Sequence, residues 1–167
     1  MKNFKVTGKS IPESWSTAAV VMSVIALDRL IGKDAREKLD LRVRFKHHHS
    51  EGEAIVRDKV SLNKFDVIID PYRVVADAWG RVFPDDERVV KLMQILAHEL
   101  THVKQYIVGD LKTEESGYAI WKGETYSPRD LQSYFDLPFE KEARGEEEGH
   151  MFAFLTRYKQ LQEEGVI

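Results

Sequence analysis

Leu92-Met93-Gln94-Ile95-Leu96-Ala97-His98-Glu99-Leu100-Thr101-His102-Val103 carries H-E-x-x-H inside an apolar, helix-forming run. On an α-helix His98 and His102 lie one above the other on a single face, so both imidazoles reach the same metal ion. Glu99 sits about 100° around the helix from His98. From there its carboxylate reaches a water on that metal without being a ligand. This pattern serves metal-assisted hydrolysis, with Zn²⁺ as the expected cofactor and Glu99 as the general base. Pro84-Asp85-Asp86-Glu87 opens the helix, with acids at the positive end of its dipole, and Gly109 stops it after about Ile107. Leu92, Leu96, Leu100, Val103 and Ile107 form its core stripe.

Upstream, Pro12 to Ile31 reads as a helix that is apolar on most of its circumference and packs under a sheet. Its run Ala18 to Leu27 is too short to span a bilayer and is closed by Asp28-Arg29. The polar leader before it makes a poor signal peptide, so a cytoplasmic location is expected. Phe4 to Ser10 alternates weakly, as a short edge strand. Leu39 to His47 alternates strictly, apolar at 39, 41, 43 and 45, as a half-buried strand does. Glu53 to Asp58 and Phe65 to Asp70 follow as strands after short turns, which predicts an antiparallel meander. Beyond the motif helix come a hairpin over Gly117 to Tyr126 and a last helix from Pro138 to about Glu163. Phe139, Ala143, Met151, Phe154, Leu155, Tyr158 and Leu161 are the expected buried face of that helix.

The 167 residues fit a single domain, 1–167, of class α+β with a small, mostly antiparallel sheet. A hydrophobic share of 43% and a charged share of 32% are ordinary for a globular chain. The net charge of −3 gives no reason to expect nucleic acid or an acidic membrane as partner. With no cysteine, any metal must be held by His, Asp or Glu. Gly-rich phosphate loops and G-x-S-x-G are absent.

A catalytic zinc takes three protein ligands and keeps a fourth position for water. The extended motif with a third histidine needs Gly at 105 and His at 108; this chain has Gln105 and Val108. Leu137-Pro138-Phe139-Glu140-Lys141-Glu142-Ala143-Arg144 offers Glu140 and Glu142 at a helix start. They point about 200° apart, so both cannot face the metal equally well.

His98-Glu99-Leu100-Thr101-His102 together with Glu140-x-x-Ala143 resembles the gluzincin pattern of zincin metallopeptidases, whose second helix carries Glu-x-x-[Ser/Ala]-Asp. With Trp121-Lys122-Gly123 and Tyr126 ahead of it, the stretch Leu137 to Ala143 also resembles small metallopeptidase-like proteins of phages and bacteria. The resemblance covers roughly residues 90–150. It implies a zincin-like minimal fold and a peptide or protein substrate, with His98, His102 and Glu140 as metal ligands and Glu99 as catalytic base. The chain departs from the pattern at Arg144, where an aspartate usually supports a histidine ligand; Asp136 and Glu142 are the substitutes within reach.

His47-His48-His49 reads as an exposed strand end, or as a second metal site. His150 is a surface or structural histidine, or a helper at the site. Tyr118, Tyr126 and Tyr134 are candidates to donate to an oxyanion. Lys104 and Arg144 read as surface charge. A peptidase is the first functional expectation. A zincin-fold binding or regulatory module without activity is the second, and a hydrolase of non-peptide amides the third.

Overall fold

The computed structural model describes residues 3–77, 79–114, 116–127 and 134–167. Among them the chain runs β1 (Asn3–Gly8), α1 (Glu13–Ile31), α2 (Lys33–Lys38), β2 (Asp40–Phe45), β3 (Gly52–Val56), β4 (Lys64–Ile69) and α3 (Asp85–Ile107). It continues through β5 (Leu111–Thr113), β6 (Ala119–Trp121), β7 (Glu124–Tyr126) and α4 (Pro138–Glu163). The class is α+β, and the long helices end within a residue or two of the stop signals.

The four-stranded sheet has the order β1-β2-β4-β3. β1 pairs parallel with β2, β2 parallel with β4, and only β3 runs antiparallel, against β4. The expected antiparallel meander is therefore wrong for this sheet; the smaller sheet β5-β6-β7 is antiparallel throughout. The reason lies in burial. β4 is Lys-Phe-Asp-Val-Ile-Ile, buried from Phe65 to Ile69 on both faces, and such a strand takes an interior slot. β3 is half-buried along its length and takes the edge. β1 forms the other edge, and the α1–α2 segment is the crossover that a parallel pair needs.

Leu41, Val43 and Phe45 of β2 stand beside Phe65, Val67 and Ile69 of β4 in register. With Trp15, Met22 and Leu27 of α1 and Leu92, Leu96 and Leu100 of α3 they make one core between sheet and helices. Each fully buried Leu or Phe there contributes roughly 1.5–3 kcal/mol of transfer free energy. The opposite face of the sheet is polar, held by Arg44–Asp66 at 3.0 Å and Arg57–Asp40 at 2.6 Å. By length and composition α1 is long and apolar enough to cross a bilayer. Here its stripe Trp15, Ala18, Ala19, Met22, Ala26 and Leu27 is buried, and it packs on α3 and α4.

On α4, Phe139, Ala143 and Phe154 are buried as expected, but Leu155 is exposed. Leu137 and Phe139 form a second cluster with Leu111, Ala119 and Trp121. The tight turn Lys122-Gly123, with φ of 48° and 92°, closes the β6–β7 hairpin in the manner of a primed turn. The small sheet thus serves as a wall that fixes the start of α4.

β3 packs against α3 at one tight point. A Cβ on Gly52 would lie 2.6 Å from Ile95 Cγ2 and 2.7 Å from Glu99 Oε1. Glycine is required there for close approach of strand to helix. Gly52→Ala is expected to push the Glu99 carboxylate aside and cut any Glu99-dependent hydrolysis by about 10²-fold, the usual cost of an ångström-scale misplacement. Metal content should be unchanged. Steady-state rates and metal analysis on the purified variant check this.

Candidate metal centre

α4 lies antiparallel along α3, and the two helices share a polar seam. Gln94 Nε2 donates to Glu147 Oε2 at 2.8 Å. One turn on, His98 Nδ1 meets Glu147 Oε1 at 2.8 Å while its Nε2 faces Glu140 Oε2 at 3.1 Å. The next turn brings His102 Nε2 to 3.3 Å from Glu140 Oε1. Gln105 closes the seam, donating to the Phe139 carbonyl at 3.0 Å and to Glu142 Oε2 at 2.9 Å. Positions 94, 98, 102 and 105 follow helical spacing, so one face of α3 supplies every member from that side.

Counting hydrogens defines the chemistry. Both amide hydrogens of Gln105 are engaged by acceptors, so its oxygen faces His102 Nδ1 at 2.8 Å and the imidazole is the donor. His98 Nδ1 likewise donates to the Glu147 carboxylate. Each ring then presents the lone pair of Nε2, and these two atoms are 3.1 Å apart. Glu140 adds a carboxylate, whose buried Oε1 has no hydrogen-bond partner among the described residues. With both rings neutral, three acceptors converge with no hydrogen between them, an arrangement that either a further proton or a metal ion relieves.

The spacing suits zinc. Ligand arms of about 2.0–2.1 Å in a tetrahedron put donor atoms roughly 3.3 Å apart; the two Nε2 atoms here are 3.1 Å apart, with Glu140 Oε2 at 3.1 Å from His98 and Oε1 at 3.3 Å from His102. His98, His102 and Glu140 form a group able to hold a metal ion. Gln105 and Glu147 orient the two rings, as partners behind metal-bound histidines do.

Glu99 is 7% exposed beside this group. Burial pushes its pKa up, against the opposing pull of His102 and His98. Tyr134 hydrogen-bonds Glu140, and burial together with that carboxylate raises its phenol pKa, which keeps the proton on oxygen. Arg144 stacks on Phe135 with its guanidinium carbon 4.7 Å from the ring centroid and donates from Nη1 to the Phe135 carbonyl at 2.8 Å. Its Nη2 is buried, 3.8 Å from Glu140 Oε2, and makes no hydrogen bond among the described residues. These groups border a cleft of about 720 Å³ whose apolar wall includes Val74, Phe83, Ile95 and Phe135.

Of the two candidate glutamates, Glu140 faces the two histidines, while Glu142 sits behind them, held by Gln105 and by Lys104 Nζ at 2.9 Å. Other expectations are corrected by this geometry. Asp136 supports neither ring and pairs with Lys141 at 2.9 Å. The support that an aspartate at 144 would supply comes instead from Glu147, two turns beyond Glu140 on the same face. Arg144 and Lys104 are not idle surface charge: one borders the cleft and the other holds Glu142. Tyr126 bonds Glu124 on the small sheet, and of the three tyrosines only Tyr134 lines the cleft. His150 is buried in α4 away from the cleft, with neither ring nitrogen bonded among the described residues. The free strand edge beside the motif helix is β3, while β4 lies inside the sheet.

Glu147, Gln105 and Gln94 were not singled out from the sequence. The available signal was spacing: Glu147 follows Glu140 by two helical turns, and both glutamines lie within a turn of a motif histidine. Glu147→Gln keeps the acceptor oxygen but removes the charge behind His98. It is expected to weaken zinc binding 10–100-fold, measured by competition with a chromophoric chelator.

Comparison with protein-family models, with curated proteins and with solved structures finds no match to this chain.

Proposed function

We propose that the protein is a zinc-dependent peptidase of zincin type, related in pattern to the gluzincins, with His98, His102 and Glu140 as metal ligands and Glu99 as general base. The observation that carries this reading is the convergence of the two Nε2 atoms and the Glu140 carboxylate at 3.1–3.3 Å, with the other nitrogen of each ring engaged by Glu147 or Gln105. Zn²⁺ at that point would activate a water and polarise a carbonyl.

The remaining chemistry belongs to the chain. Glu99 accepts the proton of the attacking water and returns it to the leaving amine. Its raised pKa suits a group that must both take and give a proton. Arg144, anchored through Nη1 and its stacking on Phe135, borders the cleft and supplies positive charge near the developing oxyanion. Tyr134 keeps Glu140 in place. The substrate runs in extended form along the free edge of β3 by main-chain hydrogen bonds. That edge borders the cleft at Gly52 and a second groove of about 400 Å³ between Ala54–Val56 and Leu111–Thr113. A peptide or protein substrate fits such an edge; nucleic acid and membrane do not enter the reading. The lack of cysteine and the use of α1 in the core are in keeping with a cytoplasmic location.

The support given by Glu147 and Gln105 also favours an active hydrolase over a silent binding module, because both rings are backed without an aspartate at 144. An unbiased peptide library incubated with zinc-loaded protein tests the proposal. Cleavage that disappears with a chelator and returns with Zn²⁺ is the expected result. A library left intact across loaded preparations with full metal content would overturn it.

A further inference from the structure

The loop between β2 and β3 carries three successive histidines that the hydrolytic site does not use. His47 turns to Asp70, with Nδ1 to Oδ2 at 2.9 Å. His48 and His49 turn the other way, with ring centroids 4.0 Å apart, and meet Glu53 of β3.

The contacts around His48 aim its outer nitrogen at Glu53. Ser50 Oγ donates to the Gly52 carbonyl at 2.7 Å and lies 3.1 Å from His48 Nδ1. The Ser50 backbone N–H donates to the same Nδ1 at 3.5 Å. His48 Nε2 faces Glu53 Oε2 at 3.0 Å, where one proton joins ring and carboxylate. A divalent cation displaces such a proton and takes both atoms as ligands. The donor atoms of His48, His49 and Glu53 all lie within 4.8 Å of one another.

The loop is also held for the purpose. The His48 backbone N–H donates to Asp70 Oδ2 at 2.8 Å, and Arg73 Nε donates to the His48 carbonyl at 3.1 Å. Lys46 N–H bonds the Ile69 carbonyl at 3.0 Å, which ties the start of the loop to the end of β4. His48 has little freedom to turn away.

We propose that His48, His49 and Glu53 form a second divalent-metal site, which staples the β2–β3 loop to the edge strand. Two imidazoles and one carboxylate select Zn²⁺ and its late first-row neighbours over Mg²⁺ or Ca²⁺. Three protein ligands leave room for water, and His49 is exposed, so this site binds more weakly than the buried one. Its position has a consequence. The metal would span residues 48 to 53 and brace Ser50, Glu51 and Gly52, which line the cleft where β3 meets Glu99.

The test is a metal count on the full chain, stripped with chelator and then equilibrated with Zn²⁺ or, for its absorption spectrum, Co²⁺. Wild type is expected to bind two ions per chain and His49→Ala one, with the weaker binding lost by at least tenfold. His98→Gln/His102→Gln is expected to keep one ion, which adding His49→Ala removes. His49 is exposed, so its truncation leaves the fold intact, and the wild-type comparison decides the matter even where the buried double variant does not fold. A wild type that binds one ion, retained in His49→Ala, overturns the second site. A wild type that binds one ion, abolished in His49→Ala, upholds it and overturns the catalytic site instead.

Discussion

Glu99→Gln is expected to leave zinc bound by His98, His102 and Glu140 and to lower metal-dependent hydrolysis by about 10²–10⁴-fold, the range a positioned general base supplies. Glutamine has nearly the shape of glutamate, so the contact with Gly52 at the end of β3 survives. It cannot accept the proton of an attacking water. The metal set does not include Glu99, so metal content is the control that separates loss of chemistry from loss of the site. Stability gives a second control. Burial disfavours the charged form of Glu99 and pushes its pKa up. A neutral amide in that place relieves the cost, so the variant should melt at or above the wild-type temperature, the trade between stability and activity often met at catalytic positions. Single-turnover rates, metal analysis and thermal melts decide it. Wild-type hydrolysis in the variant would remove Glu99 from the mechanism, and loss of zinc would make it a structural partner of the site.

The parts of this molecule that were legible in the sequence are those set by local rules. The bounds of α3 and α4 follow from helix-start prolines and acids and from the Gly109 stop, all local to the chain. His98, Glu99 and His102 are likewise fixed by spacing within one helix; Glu140 was named through a resemblance, and the packing of α4 on α3 places its carboxylate beside both rings. Strand positions were legible but strand order was not. Period-two alternation tells which face of β2 is buried, yet nothing local says that β4 slips between β2 and β3. The continuous burial of Phe65 to Ile69 was the available hint, and short turns pointed the other way. α2 was missed because Lys33–Lys38 is short and polar. Gly52 lies just outside the strand read as Glu53 to Asp58, yet its lack of a side chain serves the approach of β3 to Glu99. Glu147 and Gln105 look like any solvated helix positions until the antiparallel seam brings them behind the two rings.

That seam leads to an expected reversal. Removing the metal should invert the pH dependence of stability between about pH 6.5 and 10. In chelator-stripped protein only protons can separate His98 Nε2, His102 Nε2 and the Glu140 carboxylate. Burial opposes charge on His98, but hydrogen bonding to Glu140 and Glu147 outweighs it and pushes its pKa up to about 10. His102 moves in the same direction for the same reason, through Glu140. Glu140, despite its burial, is held below the usual carboxylate range by His102 and His98. An unfolded histidine titrates near 6.5. Across this window the folded stripped chain holds a proton that the unfolded chain has lost. The stabilisation is therefore complete below about pH 6.5 and disappears as pH rises through about 10, at up to roughly 1.4 kcal/mol per pH unit for each such proton. Zinc competes for the same lone pairs. Its affinity rises about tenfold per pH unit for each proton it displaces, and at fixed free zinc the stability linked to binding rises with it. Thermal melts from pH 6.5 to 9.5 should show Tm falling in the stripped protein and holding or rising in the zinc-saturated one. Parallel curves would mean that His98, His102 and Glu140 do not share one cation, and the site would have to be rebuilt from other residues.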